Sequence, residues 1–483
     1  MMRKLQCVLI MLAWLLGIQA FAKSGNLRFE DFLLRDTSQV IHGTLDNGFQ
    51  YYIVKRADDC FQMSLLQKTG CHDDGETIEI SHLLEHMLST ANRPIATGDT
   101  LIQYLKKLGK DYGTGFNAFT WANFMKYELY RLKPERAYAD SCMEILAEIA
   151  GDSNIYSADL ERQRERLLNE VANRKYVLNR RVLDAGMAVY WSGHDPDKWR
   201  EMRLNSARKI TQSQLEAFYR KWYQPQNQCL LVTGKIPDGI EDMIKRKFGN
   251  RPRVPTPSPT ILDFGKRDML VERCGNASCT LTLNFALPHL TQAEKESPQF
   301  IRDYYALKKI NHALYEKMKE RKFASNCFTR YQVENRMMLT TTFAYNLNEE
   351  LPGGGLPAFV DSVAALLNDV RNNGVQIQMP KDTLKRNVIE QHRALAMKKL
   401  QEGDGKGNTI DPFMQPDVCF TYALPLFKQE DSDAYWSFVL SGKDLSNFCK
   451  ELVRKSVLKI DCILPYGYPE NEITEKLNAL LRH

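Results

Sequence analysis

The segment that most constrains the fold of this chain is residues 81–90, SHLLEHMLST. Two histidines, His82 and His86, are four residues apart in an otherwise apolar run, and Glu85 directly precedes the second. In a helix, positions i, i+3 and i+4 lie on one face, so these three side chains would point the same way. Polar groups left unpaired among leucines cost free energy. The segment therefore predicts an amphipathic helix whose polar face holds a shared partner.

A zinc ion is the partner that this spacing favours. Neutral imidazole is a common zinc ligand, and catalytic zinc usually has three protein ligands and one open position. The order HxxEH, the reverse of HExxH, occurs among zinc peptidase motifs. It predicts that His82 and His86 bind zinc and that Glu85 is the general base that takes a proton from water. The alternative is two hydrogen-bonded core histidines beside a surface glutamate.

A third ligand is expected from a separate helix, within residues 158–175. Glu161 and Glu165 alternate with arginines there, which indicates a solvent-exposed face. Glu170 instead has leucine and valine neighbours, where an unpaired carboxylate would be costly. We predict Glu170 as the third zinc ligand. The alternative is an i,i+4 salt bridge to Arg174.

The N-terminus has the features of a secretory signal peptide. Residues 1–22 begin with MMRK, continue through an apolar run and end in QAFA, which predicts cleavage after Ala22 and export. An uncleaved membrane anchor is the alternative, although the stretch is short for a bilayer span. No later apolar stretch approaches the length needed to span a bilayer, so no stable membrane anchor is expected after cleavage.

Composition indicates a folded protein of more than one domain. The chain has 483 residues, of which 43% are hydrophobic and 26% are charged, as in ordinary globular proteins. Its net charge of +6 comes from scattered lysines and arginines, which predicts no nucleic-acid partner. The ten cysteines beyond the signal peptide show no CxxC metal pairing. Most are expected to be small buried hydrophobic residues, with a disulfide across 274–279 left open.

Strand and helix patterns alternate in two halves of the chain. Residues 46–250 predict an α+β domain that contains HxxEH, and residues 23–45 predict a leader of mixed polarity. A proline-rich linker is predicted at 251–264. Residues 265–483 repeat the element order of the first half without HxxEH, a weak sign of internal duplication. Within them, LPGGGLP at 351–357 predicts a flexible loop.

Four segments in order resemble the pitrilysin/insulinase family of inverted-motif zinc metallopeptidases. They are ISHLLEHMLS (80–89), YGTGFNAFTW (112–121), QRERLLNEVANR (163–174) and FYRKWYQPQNQCLLVTGKI (218–236). The resemblance is to the two-domain type that includes the mitochondrial processing peptidase β subunit and bacterial relatives. It implies an α+β fold of two homologous domains, each a mixed or antiparallel sheet packed with helices, that together form half of a clamshell.

The resemblance also implies roles for individual residues. His82, His86 and Glu170 would bind one Zn²⁺ per chain, with Glu85 as general base. Asn117, with Phe119 beside it, would bind the substrate backbone; without the resemblance Asn117 would be interpreted as a turn residue.

This chain departs from the family pattern at two places. Gln163 stands where relatives often carry a second glutamate, which puts the rate of catalysis in question. Lys319 and Asn326 stand where relatives carry a substrate-gripping arginine and tyrosine. Lys319 is taken as a substrate-binding residue that stabilises an oxyanion.

The resulting interpretation is an exported, periplasmic zinc metalloendopeptidase that hydrolyses unfolded peptides within a clamshell chamber. One chain supplies two domains of a four-domain chamber, which implies a homodimer or a heterodimer with a related subunit. The alternative is an inactive family member that serves as a structural subunit. A small-molecule metal hydrolase is disfavoured because NAFT indicates an extended peptide substrate.

Overall fold

The computed structural model describes residues 40–56, 58–151, 155–173, 196–258, 260, 268–274, 278–321, 326–346, 355–375, 416–426 and 445–481. The predicted signal peptide and Arg174 lie outside these ranges, as does the side chain of Cys274. None of the helices in these ranges is long and apolar enough to cross a bilayer.

The described part of the first half contains six strands that form one mixed sheet. The strands are β1 (Val40–Thr44), β2 (Gln50–Lys55), β3 (Phe61–Gln67), β4 (Phe116–Thr120), β5 (Met125–Leu132) and β6 (Gln228–Gly234). Their spatial order is β1-β2-β6-β3-β5-β4, so β4 lies at an edge. Only β2 and β6 pair in parallel; the other neighbours are antiparallel.

The second half contains a five-stranded sheet. Its strands are β7 (Met269–Cys274), β8 (Ser278–Ala286), β9 (Asn326–Val333), β10 (Met337–Asn346) and β11 (Val457–Pro465), in the order β7-β11-β8-β10-β9. β7 and β11 pair in parallel, and every other pair is antiparallel. The five neighbouring strands β2-β6-β3-β5-β4 of the first sheet therefore have the same spatial order and connections as the whole second sheet. The duplication predicted from element order is present in the strand connections.

Helices cover one face of each sheet. In the first half they are α1 (Ile80–Leu88), α2 (Leu101–Lys107), α3 (Arg136–Gly151), α4 (Leu160–Asn173), α5 (Pro196–Ala207), α6 (Gln212–Trp222) and α7 (Ile240–Phe248). In the second half they are α8 (Gln292–Lys295), α9 (Pro298–Arg321), α10 (Gly355–Asn373), α11 (Pro416–Tyr422), α12 (Leu445–Lys455) and α13 (Glu470–Leu481). The predicted α+β class, with one sheet-and-helix unit in each half, is confirmed.

Two local expectations are wrong over the residues that the structure describes. The leader of mixed polarity predicted at 23–45 ends in β1, which pairs with β2 over Val40–Thr44. The last three residues of the loop predicted at 351–357 lie in α10, because Gly355 begins that helix and Leu356 is buried in its first turn. In both places a short segment gains its structure from pairing or packing with distant residues, which outweighs its weak local preference.

The two halves also contact each other through α11. Phe420 of this helix is buried against Tyr52, Leu66 and Cys229 on the face of the first sheet that lies opposite its helices. At the end of α11, the Tyr422 hydroxyl accepts a hydrogen bond of 3.1 Å from the Asn123 side chain. A residue of the second half therefore completes the packing of the first sheet.

Candidate metal centre and active site

The helix α1 separates the HxxEH segment into an apolar and a polar face. Ile80, Leu83, Leu84, Met87 and Leu88 are buried in the core of the first half. Their spacing of three and four residues is that of one helical stripe. The remaining face carries both histidines and Glu85, as the sequence predicts.

A second helix brings Glu170 to this polar face. On α4, Leu167 and Val171 are fully buried in the same core as the apolar face of α1. Arg164 is also buried, and its guanidinium donates hydrogen bonds to the carbonyl oxygens of Ala207 (2.6 Å) and Ile210 (2.7 Å). Arg164 therefore anchors α4 to the end of α5. The predicted solvent-exposed face is wrong at Arg164 alone, since Glu161, Glu165 and Arg166 are exposed.

The side chains of His82, His86 and Glu170 converge on one point. Glu170 Oε2 lies 3.7 Å from His82 Nε2 and 3.8 Å from His86 Nε2. The three ligand atoms all lie within 4.8 Å of one another. Ligands about 2.0–2.2 Å from a tetrahedral zinc are separated by roughly 3.4 Å. Two imidazoles and a carboxylate at these separations fit a zinc ion.

His82 is oriented by a carboxylate behind it. Its Nδ1 is 2.9 Å from Glu79 Oε2, an arrangement that leaves Nε2 facing Glu170. Glu79 also accepts a hydrogen bond from Arg203 of α5. Burial would lower the pKa of His82, but the hydrogen bond and charge of Glu79 raise it above its ordinary value. Burial would raise the pKa of Glu79, yet Arg203 and His82 hold it well below its usual range.

Glu85 contacts the edge strand of the first sheet. The Thr120 hydroxyl, at the end of β4, donates a hydrogen bond of 2.9 Å to Glu85 Oε2. The turn after β4 is fixed by backbone hydrogen bonds from Cys71 to the Trp121 carbonyl and from His72 to the Ala122 carbonyl, both 3.0 Å. These connections hold the end of β4 beside α1.

A glycine permits that close approach. A Cβ atom at Gly70 would lie 2.1 Å from the Trp121 carbonyl oxygen, closer than any real Cβ contact. A larger residue there would push the β4–β5 turn away from the loop that leads into α1.

The predicted substrate-binding residues lie in two different places. Asn117 and Phe119 are half-buried on β4, whose outer edge pairs with no described strand. Lys319 is exposed in the last turn of α9 in the second half, and Asn326 begins β9. The structure thus associates Asn117 and Phe119 with the strand that contacts Glu85, and places Lys319 on a helix that contributes nothing to the metal cluster.

Gln163 has a structural role that a glutamate could not fill. Its amide group donates hydrogen bonds to Thr90 Oγ1 (2.7 Å) and to Asp159 Oδ2 (2.8 Å). Asp159 also accepts from Arg162. A glutamate at 163 would bring a second carboxylate against Asp159 and has no hydrogen to donate when ionised.

Sequence reasoning missed Glu79, Arg203 and Thr120. Glu79 stands three residues before His82, so helical spacing alone could have identified it as a partner for the imidazole. Arg203 is 124 residues from Glu79 and gives no local signal. Thr120 is the last residue of the NAFT segment. Only the packing of β4 beside α1 brings its hydroxyl within reach of Glu85.

Comparison with known proteins finds matching family profiles in both halves of the chain. Residues 55–195 match the family profile described as Insulinase (Peptidase family M16), and residues 209–376 match the profile described as Peptidase M16 inactive domain. Together the two matches cover more than half of the chain. This chain belongs to the M16 peptidase family.

Relatives within the M16 family are named zinc proteases. The zinc protease PQQL-like of Arabidopsis thaliana is 24% identical over 216 residues, covering 44% of this chain and 22% of the relative. The probable zinc protease PqqL of Escherichia coli is 20% identical over 292 residues, covering 55% of this chain and 29% of the relative. The matched segments therefore span less than a third of the length of these two relatives.

A solved structure extends the likeness of fold to nearly the whole chain. The periplasmic protease PqqL of Escherichia coli superposes with a TM-score of 0.67 at 16% identity, covering 93% of this chain and 51% of that one. At this identity the likeness concerns the fold. It matches the two α+β units expected for half of an M16 clamshell.

Proposed function

We propose that this chain is a zinc metalloendopeptidase that binds one zinc ion through His82, His86 and Glu170. The observation that carries the proposal is the convergence of these three side chains in a member of the M16 family. Glu170 Oε2 lies 3.7 Å from His82 Nε2 and 3.8 Å from His86 Nε2. Zinc bound there supplies Lewis acidity at neutral pH. Relatives named zinc proteases support the same metal.

The protein's own residues supply the proton transfers. Glu85 accepts a proton from the attacking water and returns it to the amine that leaves when the peptide bond breaks. Thr120 holds one carboxylate oxygen of Glu85 by its hydrogen bond, so the carboxylate presents the other oxygen in a fixed direction. Glu79 holds the imidazole of His82 with Nε2 towards the metal position.

The substrate class follows from the edge strand. β4 has hydrogen-bonding groups along its outer edge, and an extended peptide can add to such an edge as a further strand. Asn117 and Phe119 lie on β4 and would contact that peptide. A folded protein presents few free strands, so unfolded peptides are the favoured substrates.

The particle is proposed to contain a second chain. This chain supplies two sheet-and-helix units. It matches about half of the solved PqqL structure. A homodimer or a heterodimer with a related subunit would complete a clamshell chamber, and Lys319 would then contact substrate held by the partner. The periplasm is the proposed location, in keeping with the N-terminal residues 1–22 and with the periplasmic protease PqqL.

A structural subunit without activity is the second candidate. It is favoured by the match of residues 209–376 to the profile described as an inactive domain. That match does not include HxxEH, which lies at 82–86 within the insulinase match. We therefore favour the active peptidase.

The decisive variant is Glu85→Gln, which keeps the side-chain shape and removes the base. Zinc content should be retained, while cleavage of quenched fluorescent peptides should fall at least about a hundredfold. Glu76→Gln, an exposed glutamate in the preceding loop, is the matched control and should cleave as wild type does. Wild-type cleavage by Glu85→Gln contradicts the mechanism. An assembled, zinc-loaded particle with the wild-type chain that cleaves no peptide favours the structural subunit.

A further inference from the structure

We propose that Glu79 is a positioning residue for zinc binding, held in a strained backbone conformation so that its carboxylate links Arg203 of α5 to His82. The inference rests on the proposed function, because it concerns how the same metal centre is held. It assigns a role to two residues, Glu79 and Arg203, that lie outside HxxEH and provide no ligand themselves.

The backbone of Glu79 is the first observation. Its φ of 76° and ψ of 9° place it in the left-handed region, directly before the first residue of α1. Only Glu79, Arg131 and Ala423 among the described residues other than glycine have positive φ. Glycine adopts this conformation without steric cost, and a glutamate does not. A strained residue that persists beside a functional centre suggests that its side chain is needed there.

The contacts of the side chain show what it does. Glu79 is 4% exposed, and its two carboxylate oxygens serve different partners. Oε2 lies 2.9 Å from His82 Nδ1, and Oε1 accepts from the Nε of Arg203, which is 3% exposed. A carboxylate on one imidazole nitrogen fixes the tautomer and ring orientation and directs the other nitrogen to a metal.

The loop before α1 holds this arrangement from the backbone side. The carboxylate of Asp74 accepts hydrogen bonds from the backbone nitrogens of Glu79 (2.8 Å) and Ser81 (3.1 Å). The Glu79 backbone is thus fixed by Asp74, while its side chain is fixed by Arg203. Zinc affinity should therefore depend on the position of α5, a helix that carries no predicted zinc ligand.

The test measures zinc affinity rather than turnover. Zinc dissociation constants would be determined by competition with a chromophoric chelator for wild type, Glu79→Gln, Glu79→Gly and Arg203→Gln. Glu76→Gln, in the same loop but exposed, is the matched control. We expect the three variants at 79 and 203 to bind zinc about 10–100-fold more weakly, as loss of such supporting partners does in other metal sites. The control should bind as wild type does.

Two further measurements separate positioning from general folding. The absorption spectrum of the cobalt-substituted chain should change in Glu79→Gln and Glu79→Gly, because the geometry at His82 changes. Glu79→Gly removes the carboxylate and also relieves the strained φ, so it provides a variant that folds if Glu79→Gln does not. Its thermal unfolding without metal checks that the fold is intact.

The outcomes distinguish this inference from the proposed function. Equal zinc affinity and an unchanged cobalt spectrum in Glu79→Gly and Glu79→Gln contradict the role of Glu79 alone. A wild-type chain that binds no zinc contradicts both proposals. Weaker zinc binding in the two Glu79 variants, together with wild-type zinc binding in Arg203→Gln, rejects the link between Glu79 and α5.

Discussion

The Thr120 hydroxyl donates a hydrogen bond of 2.9 Å to Glu85 Oε2, joining the edge strand of the first sheet to the helix that carries HxxEH. The carboxylate proposed as general base is therefore held by the same strand that is proposed to bind substrate. This hydrogen bond couples the position of β4 to the orientation of Glu85.

Thr120→Val should lower kcat by about tenfold or more, because a hydrogen bond to a charged group is lost while the side-chain volume is kept. Zinc content should not change, since Thr120 is not a ligand. Thr120→Ser retains the hydroxyl and is the matched control. Steady-state cleavage of a quenched peptide measures the effect, and equal kcat in wild type and Thr120→Val would show that this contact is dispensable.

Gln163→Glu should destabilise the protein at neutral pH by about 1–3 kcal/mol, because a buried carboxylate would face Asp159. Burial alone would raise the pKa of Asp159, but its hydrogen bonds with Arg162, Thr90 and Gln163 lower it to about 2, so it stays ionised at pH 4.

The pH dependence of this variant has a definite sign. The introduced carboxyl has a folded pKa raised above its unfolded value of about 4.3, so its cost is absent well below pH 4 and grows as pH rises. Thermal unfolding at pH 4 and pH 7 tests this, with Gln103→Glu on an exposed helix position as control. A variant more stable or more active than wild type at pH 7 would mean that a glutamate is preferred at 163.

The sequence alone predicts the α+β class and a helix in the HxxEH segment. That helix is α1, at Ile80–Leu88. The positions of His82, Glu85 and His86 on one helical face follow from their spacing. The apolar neighbours of Glu170 distinguish it from the other glutamates of its helix, although its side chain is 31% exposed. Local pattern was enough in these cases because periodicity and burial agree along one element.

Other features depend on residues far apart in the chain. β1 contains Gly43, a poor strand former, and exists through its pairing with β2; a Cβ at Gly43 would collide with the Tyr51 ring. Arg164 has the appearance of a surface arginine in the sequence, but carbonyl groups at the end of α5 bury it. Such contacts are made by tertiary packing, which has no signature in a local window.

Tyr422→Phe should weaken the contact between the two halves. The Tyr422 hydroxyl accepts a hydrogen bond of 3.1 Å from the Asn123 side chain across the contact between the halves. Removing the hydroxyl leaves the Asn123 amide without this partner, at a cost of about 1–3 kcal/mol. Tyr466→Phe, where the tyrosine is 65% exposed, is the control. Calorimetry should find a lower melting temperature in Tyr422→Phe only, and identical melting of both variants would contradict the contact.

The chain should not work alone as a monomer, since its two units form half of the proposed chamber. We expect light scattering to find either a dimer of this chain, or a monomer that gains peptidase activity on addition of a related subunit. Lys319→Ala should reduce kcat only in the assembled particle, with Lys308→Ala on the same helix as control. Full activity from a monodisperse monomer would reject the chamber.

The zinc content of the purified chain tests the central claim most directly. Elemental analysis should find about one zinc per chain in wild type and in His312→Ala, an exposed histidine outside the cluster. His86→Ala, which removes one of the three ligands, should contain little zinc under the same conditions. Unchanged zinc stoichiometry in His86→Ala would contradict the assignment of the metal centre to His82, His86 and Glu170.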